Sequence, residues 1–140
     1  MPRHSQSYVT IHAVWSTYKR ASVIGPNLDA RVVAILQDEA TKLMCPLLAT
    51  GIARDHVHVL FGLATTTSIA ALVNAIKGVS SRFLDMRLDG RKWGWQRGYW
   101  CQSIADRDIA PLTEYLRGQR EKHDDTHWAE QWMREQDGTR

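Results

Sequence analysis

Residues 47–62 read LLATGIARDHVHVLFG. The runs 47–53 and 56–62 each have the length of a strand, and only Arg54 and Asp55 separate them, so the stretch reads as a β-hairpin. Side chains alternate along a strand. Val57, Val59 and Phe61 therefore share one face, which suits packing on helices. His56 and His58 share the other, ~6.7 Å apart along the strand.

Working outward, residues 8–16, YVTIHAVWS, alternate and are rich in β-branched and aromatic types, the pattern of another strand. A polar loop follows. Pro26 and Asn27 then signal a helix start, and Leu28, Val32, Leu36, Ala40 and Leu43 fall at helical spacing over 28–44. On the other side of the hairpin, Ser68 is a good N-cap for a helix over 69–88, whose apolar stripe is Ile69, Leu72, Val73, Ile76, Val79 and Phe83. Residues 89–98, DGRKWGWQRG, read as a glycine-rich loop and 99–104 as a fourth strand. Asp108 reads as the cap of a third helix over 109–122, with Pro111 tolerated in its first turn. The order β-α-β-β-α-β plus a final helix predicts an α+β protein, a ferredoxin-like antiparallel sheet with an additional C-terminal helix. In that arrangement the first and third strands are central. Two helices cover one face of the sheet and the other remains available. The fold by itself names no chemistry.

A chain of 140 residues fits one domain, placed here over 1–122, with a tail over 123–140 that is helical in part. The 44% of apolar residues suffice for an ordinary core. No apolar run approaches the ~20 residues of a membrane-spanning helix. The N-terminus lacks the pattern of a signal peptide, so the expected location is the cytoplasm. Cys45 and Cys101 form no CxxC pair and read as reduced thiols. The net charge of +3 is unevenly spread: residues 1–119 carry 14 Lys/Arg against 9 Asp/Glu, whereas 120–140 carry 4 against 6. Within 77–97, six cations (Lys77, Arg82, Arg87, Arg91, Lys92 and Arg97) accompany only Asp85 and Asp89. That excess is a candidate phosphate-binding footprint; a solvated helix face and loop explain it equally well.

The pair His56 and His58 is open between two solvated histidines and two neutral imidazoles converging on one metal ion. The third helix adds Tyr115 and Gln119, four apart and so on one helical face. The carbonyl oxygen of Gln119 suits a hard cation such as magnesium or manganese. Tyr115 has a phenol with an unperturbed pKa of ~10, a weak nucleophile that a nearby divalent cation assists by polarising a phosphoryl oxygen. Two histidines and one glutamine leave positions open for a phosphate. Spacing alone leaves Tyr115 open between this role and a core tyrosine.

His-hydrophobic-His on the third strand, followed by Tyr-x-x-x-Gln on the last helix, resembles the single-tyrosine HUH transposases of small bacterial insertion sequences, including their REP-associated tyrosine transposase relatives. Further matches lie in order along residues 8–122: His12-Ala13-Val14-Trp15 continuing into Thr17 and Arg20, Asp55-His56-Val57-His58-Val59-Leu60, Lys77-Gly78 with Ser80-Ser81-Arg82, and Trp95 with Arg97-Gly98-Tyr99. The resemblance implies that His56, His58 and Gln119 bind magnesium or manganese. It implies that Tyr115 attacks a single-stranded DNA phosphate, leaving a 5′-phosphotyrosine link and a free 3′-hydroxyl. Rejoining reverses the same chemistry. It further implies a homodimer, often with the tyrosine helix of one subunit completing its partner's site, and recognition of DNA hairpins near the element's ends. Two departures stand out. Arg54 precedes Asp55 where the family often has proline. Gly118 lies between Tyr115 and Gln119, where a glycine inside a helix costs about 1 kcal/mol relative to alanine and would loosen the helix as the nucleophile moves.

The expected DNA contacts are Lys19, Arg20, Lys77, Arg82 and Arg97. Trp93 and Trp95, interleaved with cations, are open between stacking on splayed bases and anchoring the loop to the core. His12 is open between a neighbour of the metal site and a packed or solvated histidine. In the tail, Trp128 and Trp132 are four apart and form one face of a short helix, against the body or a partner subunit. Two other readings remain: a ferredoxin-like nucleic-acid-binding protein without catalysis, which would present aromatics on its strands, and a domesticated relative acting on chromosomal repeats.

Overall fold

The structure, a computed structural model, describes residues 5–119 and Trp132. Strand β1 (Thr10–Ser16) is buried along its whole length, as a central strand covered on both faces must be. It pairs antiparallel with β3 (His56–Gly62) on one side and with β6 (Trp100–Ser103) on the other. Strand β2 (Leu47–Ile52) completes the sheet outside β3, in the order β2-β3-β1-β6. The first and third strands are thus central, as the ferredoxin-like reading requires. The β2–β3 hairpin closes through Ala53 N–H donating to His56 O at 2.9 Å. Both loop carbonyls are held by the segment after β1: Arg54 O accepts from Ile24 N–H and Asp55 O from Thr17 N–H, at 2.9 and 2.8 Å. Arg54 therefore occupies the turn without opening it.

Helices α1 (Asp29–Lys42) and α2 (Ile69–Phe83) lie together on one face. Val32, Leu36 and Ala40 from α1 and Leu72, Val73 and Ile76 from α2 meet Ala13, Trp15, Val57, Val59 and Phe61 from the two central strands. Ser68 caps α2 as its sequence promises, its hydroxyl accepting from Ala71 N–H at 3.0 Å.

Three expectations need correction. Helix α2 stops at Phe83, five residues short of the predicted end at 88. Leu84 and Met86 are both fully buried, and two residues two apart reach the same core only from extended chain. The segment 89–98 is not all loop, since β4 (Arg87–Leu88) and β5 (Arg91–Lys92) pair as a small hairpin. Helix α3 spans Asp106–Leu116, not 109–122. Ala105 is its N-cap, and Asp106 and Asp108 both sit in the first turn, where their charges favour the helix dipole. Pro111 falls in the second turn, on an exposed position. No helix among the described residues is long and apolar enough to cross a membrane.

Candidate metal and nucleophile site

Cross-strand partners share a face. The register pairs Val14 with His58, Ser16 with His56, and His12 with Leu60. The face turned away from α1 and α2 therefore carries His12, His56 and His58 together, and all three are buried. The cover is α3. It approaches over Gly51 of β2, which pairs with His58. A Cβ at Gly51 would stand 2.8 Å from Leu116 O, 3.1 Å from Leu116 Cβ and 3.2 Å from Gln119 Cβ. Only a residue without a side chain lets the end of α3 lie this close to the strand.

That approach delivers both residues the sequence singled out. The Tyr115 ring stands edge-on to His58, with centroids 6.1 Å apart and planes at 82°. The side-chain amide of Gln119 lies 3.1 Å from His56 Nε2. Gln119 does not arrive by helical spacing, however. The helix ends at Leu116, and Gly118 has φ of +87°. It is a turn residue just past the helix, in the left-handed region that favours glycine. The idea that Gly118 loosens a helix from inside is therefore corrected: it folds the chain back so that Gln119 points at His56.

Behind His56 stands Asp55, whose Oδ1 accepts from His56 Nδ1 at 2.7 Å. Its second oxygen meets Arg20 Nε at 3.3 Å. An ionised carboxylate can only accept, so the proton of His56 sits on Nδ1 and its Nε2 carries a lone pair. The Gln119 amide N–H donates into that lone pair. Rotating this amide by half a turn would present its carbonyl oxygen at the same place. One imidazole lone pair and one amide oxygen, beside the second imidazole of His58 at 5.1 Å between ring centroids, form a nitrogen and oxygen donor set that fits a divalent cation. The residues present therefore fit the metal the sequence implied. His12 lies against His58, its Nε2 2.9 Å from His58 Nδ1 and the two rings nearly coplanar, edge to edge, with centroids 5.2 Å apart.

The cations assigned to DNA have varied surroundings. Lys19, Arg82 and Arg97 are exposed. Arg20 is half-buried on Asp55, held in a tight turn in which Lys19 and Arg20 both take positive φ. Lys77 turns inward and donates to Gln96 O and Gly98 O, both at 2.8 Å. Burial lowers its pKa to about 8. Lys77 thus straps the segment before β6 to α2. Trp95 anchors the same segment, its indole N–H donating to Ser80 Oγ at 2.8 Å. Trp93 stacks on Tyr18 at 5.8 Å, and the Arg91 guanidinium lies over the Trp93 ring, 6.0 Å from its centroid. In the tail, Trp132 is helical and packs on Val14; Trp128 lies outside the described residues.

Sequence reasoning missed the roles of Gly51 and Arg20 and left that of His12 open. Gly51 gave no local signal, because its purpose lies in a helix far along the chain. Arg20 read as a cation for DNA, and only the fold turns it onto Asp55. His12 had one usable signal, since it occupies a central strand two positions before Val14, the partner of His58.

The sequence comparison gives the class, a DNA transposase, and names the family. The model of the family described as "Transposase IS200 like" matches residues 5–119, and the chain belongs to that family. The chain is 25% identical over 117 residues to the ISDra2 transposase TnpA of Deinococcus radiodurans, covering 79% of this chain and 84% of that one. Two solved structures share the fold. One is a crystal structure of a candidate transposase from Deinococcus radiodurans R1, at a TM-score of 0.67 and 24% identity, covering 86% of this chain and 97% of that one. The other, a REP-associated tyrosine transposase bound to a REP hairpin, has a TM-score of 0.60 and 15% identity, covering 84% and 72%.

Proposed function

We propose that this transposase cleaves and rejoins single-stranded DNA through a 5′-phosphotyrosine intermediate on Tyr115, with magnesium or manganese held by His56, His58 and Gln119. The observation that carries the reading is the meeting of three separate elements at one buried point: Gln119 on His56 at 3.1 Å, with the Tyr115 ring against His58. A core tyrosine needs neither a histidine pair nor a glutamine turned onto it.

In this reading the bound cation supplies polarisation of the phosphoryl oxygens and offsets their charge. His56 would hold it through Nε2, His58 through an imidazole nitrogen and Gln119 through its carbonyl oxygen. Asp55 keeps the His56 proton on Nδ1. The Tyr115 phenol oxygen attacks the DNA phosphorus and loses its proton to solvent. The bond from phosphorus to the 3′-oxygen breaks, and that oxygen leaves as a 3′-hydroxyl after gaining a proton. Rejoining runs the same exchange backwards, so no external energy source is needed. Lys19, Arg82 and Arg97, being exposed, are available to the DNA backbone.

The preferred substrate is a strand with hairpin ends, consistent with a fold neighbour described as bound to a REP hairpin. We expect a homodimer in which each copy completes its own site, because Tyr115 and Gln119 meet histidines of the same chain. The test incubates labelled single-stranded DNA carrying hairpins with the protein and either metal, then runs a denaturing gel. A covalent protein–DNA adduct forms, and Tyr115→Phe or chelator abolishes it. Duplex DNA is a poor substrate. An adduct that survives Tyr115→Phe refutes the nucleophile.

A further inference from the structure

His12 is as deeply buried as any residue in the protein, yet the chemistry above does not use it. Its ring meets His58 edge to edge, with centroids 5.2 Å apart and 21° between planes, and makes a T-shaped contact with Trp100 at 5.2 Å and 77°. Trp100 packs on Val14, as does Trp132. Packing alone explains an aromatic residue here, and a phenylalanine would fill such a slot. It does not explain the 2.9 Å contact between His12 Nε2 and His58 Nδ1. At that distance one nitrogen donates and the other accepts.

We propose that His12 is a positioning residue that holds His58 as the Nδ1–H tautomer by accepting that proton at its Nε2. An imidazole engaged at Nδ1 can offer a lone pair only at Nε2, and it does so only if the shared proton belongs to its own Nδ1. The arrangement then mirrors the one behind His56, where Asp55 Oδ1 accepts from Nδ1 at 2.7 Å. Each of the two histidines is gripped at Nδ1 from its far side, and both Nε2 lone pairs are left for the same point. The two grips come from different elements: Asp55 from the hairpin turn and His12 from the neighbouring central strand. Groups that grip a ligating imidazole from behind fix its ring orientation and its basicity, and their loss typically weakens metal binding 10–100-fold. Had the proton lain the other way, His58 would present an N–H where a cation must sit.

The proposal rests on the proposed function, because the need of a cation for a lone pair sets the direction of the shared proton, and the experiment separates the failure of one from the failure of the other. Protein labelled with nitrogen-15 on its histidines is studied metal-free by NMR correlating ring nitrogens with ring protons, which reports the protonated nitrogen directly. The expected result is Nδ1–H for His58 in the wild type. A wild-type His58 protonated on Nε2 overturns the proposal, whatever the protein does to DNA. In His12→Leu, which keeps an apolar filler, the His58 proton should leave Nδ1. In His12→Gln, whose amide oxygen reaches the place of Nε2, it should stay there. Retention of Nδ1–H in His12→Leu also overturns the assignment. Manganese affinity, read by paramagnetic resonance, should fall roughly 10–100-fold in His12→Leu and recover in His12→Gln. If the tautomer behaves as expected but neither variant moves manganese affinity, His12 does not serve the metal and the positioning role is overturned. A wild type that binds no manganese, with the tautomer intact, fails the proposed function and not the hydrogen bond.

Discussion

Replacing Gly51 by alanine tests how the site is closed. The added Cβ would stand 2.8 Å from Leu116 O and 3.1 Å from Leu116 Cβ. Leu116 O is backbone and cannot swing aside. Carbon and its neighbours are comfortable at about 3.5 Å or more, so the end of α3 must lift by several tenths of an ångström. Overpacking of this kind costs about 1–3 kcal/mol. The strand yields less readily than the end of the helix, because Gly51 of β2 is held in register against His58 of β3. The displacement therefore falls on α3 and on the turn beyond it. The Gln119–His56 contact, 3.1 Å in the wild type, lengthens past hydrogen-bonding range, and the Tyr115 ring shifts off His58. Misplacement of a reacting group by about 1 Å can cost roughly 100-fold in rate. We expect adduct formation in Gly51→Ala to fall roughly 10–100-fold on that basis. The melting temperature should drop by roughly 2–12 °C, at roughly 2–4 °C per kcal/mol. Adduct rate by gel and melting by circular dichroism supply both numbers. A variant that forms the adduct at the wild-type rate would falsify the claim that α3 must dock on a bare strand. A variant that unfolds outright would show that α3 belongs to the stabilising core.

Two further predictions concern the residues whose reading changed. Gly118→Ala meets no atom within 4 Å of its new Cβ but must hold φ near +87°, a left-handed conformation that costs roughly 1–2 kcal/mol without glycine; manganese affinity should fall through misplaced Gln119, and Gly118→Asn should be milder. Lys77→Met removes two bonds of 2.8 Å to Gln96 O and Gly98 O, so amide exchange over 94–98 should quicken. Because burial lowers the Lys77 pKa to about 8 from 10.5, the unfolded chain holds this proton more tightly than the folded one between those values. Wild-type stability should therefore rise relative to Lys77→Met as pH climbs from about 8 toward 10.5, as measured by urea unfolding at several pH values; an unchanging difference would show that Lys77 is not desolvated.

The parts of this protein that were legible in its sequence are those set by local periodicity. The hairpin over 47–62 and the shared face of His56 and His58 follow from a period of two. The central place of the first and third strands follows from the order of elements. The failures share a different cause. The i, i+4 spacing of Tyr115 and Gln119 fits a helix, and it conceals that Gly118 ends the helix to reach the same result by a turn. Leu84 and Met86 continue an apolar run, and only a core that both must enter makes the chain extended there. Lys77 and Arg20 look like any surface cations. Nothing local shows that one meets two carbonyl oxygens and the other a carboxylate already committed to a histidine. Gly51 is the extreme case, because its neighbour of consequence is Leu116, 65 positions away.

The sheet has two buried faces, and they differ in chemistry. One joins Ala13, Trp15, Val57, Val59 and Phe61 to α1 and α2 in a cluster of apolar side chains. The other holds His12, Ser16, His56 and His58 beside Val14 and Leu60. Polar groups gain little from leaving water unless they are paired, so this second face has no comparable drive to be covered. Its cover comes late in the chain, from α3 over Gly51 and from Trp132 on Val14. The first face can therefore carry the fold, while the second carries the site and is closed by elements whose docking depends on single residues. It follows that substitutions at Gly51, Gly118 and His12 should separate activity from stability, losing the first while keeping most of the second. Truncating the apolar face at Phe61 or Leu72 should lose both together, at the 2–5 kcal/mol typical of a large side chain removed from a core.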